Sequence, residues 1–380
     1  MSHRITLVLG ALALAACTED EISAPAKATP TLSKGTGESR PGAVYTLTNQ
    51  PDGNAVVMFT RSPDGALTHG GTVATGGLGT GGGLSSQGAV VLSDDQRWLV
   101  AVNAGSNDIS VFAVTPAGLS LIQRISSEGV RPVSAAIRRG LVYVLNTGGS
   151  GNIAGFQQAT NGALTPIPGS SRPLSAPDAG AAQVSFTPDG SALIVTERFT
   201  NIIDVYALDS EGVAGPPQVH QASGGTPFGF DFGRSGLLIV SEAFGGLPDA
   251  SAASSYRVGG GGLSLVTGSL GTTETSACWL VVSADGRFAY AANTGSNTIT
   301  GYAIAADGTL ALLDTDGVTG PGADVGPADM GLSGDDRFLY VLTRGTNSVT
   351  IFERQAGDGS LKRLTAVDGL PAGTVGLAAR

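Results

Sequence analysis

One aromatic residue recurs along the chain in a similar apolar frame, with a mean spacing of about 49 residues. Within a repeat, short apolar segments such as 88–92, 98–102, 109–112 and 119–122 are separated by turn residues, which predicts four strands per repeat. A period of roughly 40–50 residues with four strands is the pattern of a β-propeller blade. The sequence therefore predicts an all-β, seven-bladed propeller of four-stranded antiparallel blades over residues 42–380. The recurring aromatics are Phe59, Phe112, Phe156, Tyr206, Tyr256, Tyr302 and Phe352.

The two ends of the repeat region are complementary. The first repeat lacks an innermost strand, and residues 373–378 form an apolar segment with no partner strands after it. We therefore expect the N- and C-terminal strands to share one blade. Such closure removes the exposed sheet edges that promote aggregation.

Charge limits the partners. The chain has 31 acidic and 21 basic residues, a net charge of −10. A field of this sign repels nucleic acid and anionic lipid surfaces, so we expect neither as a direct partner. Only 14% of residues are charged while 41% are hydrophobic, which favours a packed core over long solvated helices.

Residues 1–17 have the pattern of a lipoprotein signal peptide. A basic start is followed by an apolar run too short to span a bilayer, and the run ends in Leu14-Ala15-Ala16-Cys17, which resembles the bacterial lipobox. An ordinary secretory signal with a chance cysteine is the alternative. A lipobox predicts lipidation of Cys17, a flexible tether over residues 18–41 and attachment to the cell envelope by lipid alone. Thr18 favours the outer membrane, facing the periplasm or the cell surface, in a Gram-negative source.

Several motifs resemble those of the seven-bladed propeller lactonases, a family that includes 6-phosphogluconolactonases and carboxymuconate cyclases. They are the turn Asn293–Ile299 and its copies, the Ser/Thr-Pro-Asp-Gly hairpins, the segment 226–230 and Ala277-Cys278-Trp279. The resemblance covers about residues 42–380. It implies a small, perhaps carboxylated, lactone as partner, which the protein hydrolyses or forms at one mouth of the central channel. An envelope tether argues against 6-phosphogluconolactone, a cytoplasmic compound.

The resemblance also implies a His, a Glu and arginines at that mouth. Here the family's His position is Ala182, and the mature chain has only His69, on an outermost strand, and His220. His220 ends an outer strand of the fourth blade and is a candidate substrate-binding residue if its loop folds inward.

The end of each repeat's second strand supplies the candidate catalytic residues. Most repeats have Asn there, whereas blades four, five and seven have Glu197, Glu242 and Arg344. Lactone opening needs a base and a group that stabilises the oxyanion. We therefore predict Glu197 or Glu242 as the base and Arg344 as the group that holds a carboxylate or oxyanion. The alternative is that all three cap turns in solvent.

The innermost strands supply the candidate substrate-binding residues. Gln183, Asp231, Trp279 and Asp329 share one face by the two-residue period of a strand, and they line the channel if that face looks inward. If the opposite face does, Phe228 and Cys278 replace them and the polar side chains pair between blades. Cys278 is expected to be a packed, inert thiol.

Sequence motifs for dinucleotide binding, serine-hydrolase catalysis and zinc binding are incomplete or absent. The glycines of residues 77–82 fit a dinucleotide motif but have no helix after them, the serine-hydrolase elbow is absent, and no zinc-ligand spacing occurs. We expect a monomer without metal or organic cofactor. Two function classes remain: a lactone hydrolase or lactonising cyclase, and a catalytically silent propeller that binds protein or glycan at the cell envelope.

Overall fold

A computed structural model describes residues 42–260 and 262–380. The described chain is almost entirely strand, apart from two single-turn 3₁₀ helices at Arg234–Gly236 and Phe244–Gly246. The strands, in chain order, are β1 (Gly42–Leu47), β2 (Ala55–Arg61), β3 (Leu67–Ala74), β4 (Val90–Leu92), β5 (Trp98–Asn103), β6 (Asp108–Thr115), β7 (Gly118–Ser126), β8 (Pro132–Arg138), β9 (Leu141–Asn146), β10 (Asn152–Gln158), β11 (Leu164–Pro166), β12 (Arg172–Pro173), β13 (Ala181–Phe186), β14 (Ala192–Glu197), β15 (Ile202–Ala207), β16 (Gln218–Gln221), β17 (Pro227–Phe232), β18 (Leu237–Glu242), β19 (Ala252–Gly259), β20 (Gly262–Gly271), β21 (Ala277–Val282), β22 (Phe288–Asn293), β23 (Thr298–Ile304), β24 (Leu310–Leu312), β25 (Pro327–Leu332), β26 (Phe338–Thr343), β27 (Ser348–Arg354), β28 (Leu361–Asp368) and β29 (Val375–Ala379).

These strands form seven antiparallel sheets, which confirms the predicted seven-bladed propeller. From inner to outer strand the blades are β29-β1-β2-β3 (one), β4 to β7 (two), β8 to β11 (three), β13 to β16 (four), β17 to β20 (five), β21 to β24 (six) and β25 to β28 (seven), and β12 pairs with β10 in blade three. The predicted closure is also confirmed, because β29 pairs antiparallel with β1. Thr46 Oγ1 strengthens this seam by donating to the Gly376 carbonyl oxygen over 2.7 Å.

Burial explains why the inner strands are nearly continuous apolar runs. Every residue of β26, the second strand of blade seven, is buried. A second strand has a neighbouring strand on each side within its blade, and the two adjacent blades cover its two faces. The outermost strand of the same blade, β28, is largely exposed. The recurring aromatic lies on the third strand and is buried in every blade, as at Phe112 and Phe352, so the repeat marks the packing between blades.

Tyrosines on second strands tie some blades to the next. Tyr143 Oη donates to the Gly212 carbonyl oxygen over 2.7 Å, and Tyr290 makes the same bond to Gly359. In each case the acceptor is a glycine in the turn between the third and fourth strands of the next blade. We call this turn the outer hairpin.

In the described part of the chain no helix is long and apolar enough to cross a membrane. The predicted signal peptide at residues 1–17, the lipidation site Cys17 and the tether at residues 18–41 lie outside the described residues.

Candidate functional site

Three repeat-equivalent side chains follow the second strands at one end of the propeller. The backbone N–H of Arg198 donates to Gly180 O over 3.3 Å, that of Thr294 to Ser276 O over 3.0 Å, and that of Arg344 to Gly326 O over 3.0 Å. Each acceptor lies just before the innermost strand of its blade. Arg198, Thr294 and Arg344 therefore occupy the same position in blades four, six and seven, at the end where the innermost strands begin.

This alignment corrects the predicted equivalence of Arg344 with Glu197 and Glu242. The two glutamates are the last residues of β14 and β18, whereas the last residue of β26 is Thr343. Arg344 is one residue further on, and one residue in a strand turns the side chain to the opposite side. Its true equivalent is Arg198, which the sequence analysis did not select although it directly follows Glu197.

Arg198 is held against aromatic rings. Its Nε donates to Gly180 O over 2.8 Å, and its guanidinium carbon lies 4.8 Å from the ring centre of Phe199 and 5.5 Å from that of Phe228. Burial lowers the pKa of Arg198, and the positive charge of Arg131 lowers it further. Rings that stack on a guanidinium fix its direction while leaving its donors available.

Arg344 directly follows β26, the second strand of blade seven. Its guanidinium packs so closely on Gly83 that a Cβ there would clash with it. Burial raises the pKa of Cys278 to about 11, even though a hydrogen bond with Thr294 and the charges of Arg198 and Arg344 lower it. Thr294, Arg198 and Arg344 therefore all act on Cys278, and we call these four residues the arginine cluster. The raised pKa keeps the thiol protonated at neutral pH, as expected for a packed cysteine.

The cluster is rich in uncompensated positive charge. No ion pair formed by residues 42–260 and 262–380 includes Arg198 or Arg344. Two half-buried guanidiniums without acidic partners favour an anionic ligand, because burying a charge without a counter-charge is costly.

The predicted base Glu242 is fully buried between strands of its own blade. Its carboxylate accepts hydrogen bonds from Gly224 N (2.9 Å), Ser254 Oγ (2.5 Å) and Ser269 Oγ (2.6 Å). Burial raises its pKa, while these donors lower it. A carboxylate enclosed in this way has no direct path to a substrate.

Glu197 is enclosed in the same manner. It accepts hydrogen bonds from Ser175 N (2.9 Å), from Ser175 Oγ and from Thr200 Oγ1 (2.6 Å). In blade two the equivalent Asn103 bonds to Ser110 Oγ over 2.9 Å, so this position fills the blade interior whether it is an amide or a carboxylate. A catalytic role of Glu197 or Glu242 stays a prediction and would require the blade to open.

The polar residues of the innermost strands pair between blades, which is the second of the two predicted arrangements, although Gln183 also lines a central cavity together with Gln87 and Met330. Gln183 exchanges two hydrogen bonds with the backbone of Phe230, at 2.8 and 3.0 Å. Asp231 accepts from Val282 N over 2.9 Å. Burial raises the pKa of Asp231 to about 6.

Asp329 makes a similar link from blade seven to blade one, because it accepts a hydrogen bond from the backbone of Gly376. Burial raises its pKa to about 7, and the charge of Arg344 lowers it. Asp329 is only 3% exposed, and Arg344 of the arginine cluster acts on it electrostatically.

A segment before β4 fills the centre of the propeller, which the sequence analysis missed. Gln87 N donates to Ala182 O (3.0 Å) in blade four, and the Gln87 side chain exchanges hydrogen bonds with the backbone of Leu280 in blade six, at 2.8 and 2.9 Å. Trp279 Nε1 donates to Ser86 O over 2.8 Å. Trp279 therefore holds this plug, residues 86–88, instead of facing an open channel. The length of the segment between β3 and β4 was the sequence signal that could have indicated this plug.

His220 does not join these residues. It lies on β16, the outermost strand of blade four, and its ring packs beside Gly262 of blade five. The candidate substrate-binding role is therefore corrected, because its strand lies three strands away from the innermost one. Ala182, at the family's His position, is fully buried.

Comparisons with known proteins give the family. The family model of the seven-bladed β-propeller lactonases matches residues 44–172 and 263–375, more than half of the chain. No curated protein matches the sequence.

Solved structures share the fold at low identity. A candidate 6-phosphogluconolactonase from Bacteroides fragilis is 17% identical with a TM-score of 0.70, over 90% of this chain and 99% of that one. A protein from Lactobacillus plantarum is 20% identical with a TM-score of 0.73, over the same shares. The periplasmic gluconolactonase of Pseudomonas aeruginosa is 20% identical with a TM-score of 0.65, over 87% and 98%. With the family model and the observed fold, these findings show that the chain belongs to the seven-bladed β-propeller lactonase family.

Proposed function

We propose that the arginine cluster forms the channel mouth that binds a small lactone carrying a negative charge, and that the protein opens or closes the lactone ring there. The observation that carries this proposal is that Arg198 and Arg344, from blades four and seven, both act electrostatically on Cys278 while neither forms an ion pair within the described residues. A planar guanidinium matches a carboxylate with two parallel hydrogen bonds. Membership of the lactonase family favours a lactone as the substrate, and the two arginines favour a substrate that carries a negative charge.

The ring-opening step needs few groups. A water oxygen attacks the lactone carbonyl carbon while a base accepts the water proton, the acyl C–O bond breaks, and the base returns that proton to the ring oxygen, which leaves as the hydroxyl of a hydroxy acid. A guanidinium donor stabilises the oxyanion that forms on the carbonyl oxygen. Asp329 is our candidate for the base, because its pKa of about 7 suits proton transfer at neutral pH and because Arg344 acts on it electrostatically. Asp329 is buried like Glu197 and Glu242, so this role also requires its strand to move and admit the attacking water. Ring closure is the same path in reverse.

A silent binding propeller is the second candidate. It is favoured by the burial of Glu197 and Glu242 and by the alanine at position 182. In that case the arginine cluster binds an anionic group of a protein or glycan and no turnover follows.

The cell envelope is the proposed location. It rests on the lipobox-like segment ending at Cys17 and is supported by the described location of the Pseudomonas aeruginosa relative, which is periplasmic. A lipid-anchored enzyme would meet sugar-acid or other carboxylated lactones outside the cytoplasm.

A substrate panel tests the proposed function. Five- and six-membered lactones, each with and without a carboxylate, are supplied to the protein, and acid release is titrated at constant pH. We expect turnover of carboxylated lactones, with KM raised by about tenfold or more in Arg198→Gln and Arg344→Gln. Arg337→Gln, an exposed arginine on a turn between first and second strands, is the matched control and should behave as wild type.

The same assay tests the base. Loss of a general base lowers turnover by roughly a hundredfold to ten-thousandfold, so we expect this loss in Asp329→Asn and near-normal turnover in Glu197→Gln and Glu242→Gln. A loss confined to either glutamine variant would return the role to the glutamates. If wild type binds carboxylated lactones but opens none, the silent propeller is the better function.

A further inference from the structure

Most neighbouring blades lock together through one repeated contact. The first residue of a second strand is a large apolar side chain that lies directly on a glycine of the next blade's outer hairpin. A Cβ on that glycine would approach the side chain to less than 3.0 Å. The contact occurs at five interfaces, as Trp98 with Gly162, Leu141 with Gly212, Leu237 with Gly308, Phe288 with Gly359 and Phe338 with Gly65.

Blade four departs from this rule. Its second strand begins with Ala192, whose carbonyl oxygen accepts from Thr187 N over 2.9 Å just as that of Phe288 accepts from Ser283 N over 2.8 Å, so the two positions are equivalent. Two residues later blade four has Ile194, where Tyr143 and Tyr290 donate to the next hairpin in their own blades. Blade four therefore presents neither the large side chain nor the hydroxyl.

The described residues of the facing hairpin of blade five leave the gap open. Gly259 pairs directly with Gly262, and a Cβ on either Gly259 or Gly260 would meet no atom within 4 Å. A cavity of about 650 Å³ remains between blades four and five. Its lining is apolar at Val205, Ala207 and Val258.

Hydroxyl groups lie around the same cavity, on Thr187, Ser191 and Ser235. The carboxylate of Asp189, which also lines it, already accepts hydrogen bonds from Thr187 and Ser191. The arginines of the neighbouring blade bond to backbone carbonyls there, as Arg139 does to Asp189 O. The acidic and the basic side chains at the cavity therefore already have hydrogen-bond partners within the protein. For this reason the cavity favours a neutral ligand with one polar group.

We propose that this cavity is a binding site for one small neutral aromatic molecule. The equivalent space at other interfaces holds the indole of Trp98 or the benzene ring of Phe288 and Phe338, packed on glycine backbone. A free ring can replace the missing side chain, since a concave site of this volume with a mainly apolar lining and a few polar groups is typical of small-molecule binding. Its polar group would bond to the surrounding hydroxyls.

The site is separate from the arginine cluster. It lies at the turns between first and second strands, residues 187–191 and 233–236, whereas Arg198 and Arg344 follow the far ends of the second strands. The proposal does not depend on the lactonase function.

Fluorine NMR with 5-fluoroindole tests the site. We expect saturable broadening or a shift of the ligand signal with one site per chain in wild type, and binding weakened by about tenfold or more in Ala192→Leu, which supplies the side chain found at Leu141 and Leu237. Ala306→Leu, at an exposed position of another outer hairpin, should bind as wild type.

A second variant tests the proposal if circular dichroism shows that Ala192→Leu is poorly folded. Leu237→Ala removes the equivalent side chain between blades five and six and should add a second site, which raises the stoichiometry to two. Absence of saturable binding in wild type, or equal binding by a folded Ala192→Leu, would overturn the proposal. Binding that Leu237→Ala leaves at one site would also count against the equivalence on which it rests.

Discussion

At the scale of single residues, blade four buries two neighbouring acidic side chains, Glu197 and Asp204, whereas blade five has Glu242 beside the neutral Ser254. Asp204 on β15 lies beside Glu197 and is fully buried, at the position that Ser110 and Thr300 occupy in blades two and six. Burial, together with the hydrogen bond and charge of Glu197, raises the pKa of Asp204 to about 8. The folded protein therefore retains a proton at Asp204 that an unfolded chain releases near pH 4.

This pair predicts a pH-dependent stability. Between about pH 4 and about pH 8 the folded state binds more protons than the unfolded state, so the free energy of unfolding falls as pH rises and then levels off. Asp204→Asn keeps the shape, supplies an N–H donor to Glu197 and removes the titration. We expect the variant to gain stability relative to wild type as pH rises, measured by urea denaturation at pH 5 and pH 8.

Asp52→Asn, at an exposed turn, is the control and should leave the difference between the two pH values unchanged. An Asp204→Asn curve parallel to that of wild type would show that the pair does not titrate in this range.

At the scale of elements, the outer hairpins act as clamps between blades. Phe288 is 5% exposed and lies on Gly359 of the next blade, whose carbonyl also accepts from Tyr290. Phe288→Ala should lower the free energy of unfolding by about 3–5 kcal/mol, because it leaves a cavity that the hairpin cannot close. Urea denaturation measures this loss.

Leu364→Ala, on the exposed outer strand β28, should change stability by less than about 0.5 kcal/mol. A loss of similar size in both variants would contradict the clamp, since it would show that the blade interface contributes no more than the surface does.

At the scale of the whole molecule, stability depends on the seam in blade one. Leu377 on β29 is 7% exposed and packs against Gly331 of blade seven, so it joins two blades as well as the two ends of the fold. Leu377→Asp buries an unpaired charge at this seam and should cost about 3 kcal/mol or more. Thermal unfolding is followed by circular dichroism, with Leu364→Asp as the control. Equal unfolding midpoints in Leu377→Asp and Leu364→Asp would show that the seam is unimportant.

Attachment of the whole protein is predicted to depend on one sulfur. Cys17→Ser should release the protein from the membrane fraction and abolish labelling by a fatty-acid probe, because the acyl chains are the only anchor that the sequence predicts. Cys278→Ser, the half-buried cysteine of the arginine cluster, should keep both properties. Labelling that persists in Cys17→Ser would refute the lipobox.

The sequence alone determined the number of blades, their four-strand plan and the closure, because turn residues and apolar periodicity are local signals that every repeat restates. It also identified the polar position at the end of the second strand, and Arg344 near it. Only the tertiary structure decided which way these side chains point: a single residue of register separates the enclosed Glu197 from the clustered Arg198. The partners of the plug and of the cavity at Ala192 were likewise beyond the sequence, since contacts such as that between Gln87 and Leu280, 193 residues apart, form only when the ring of blades closes.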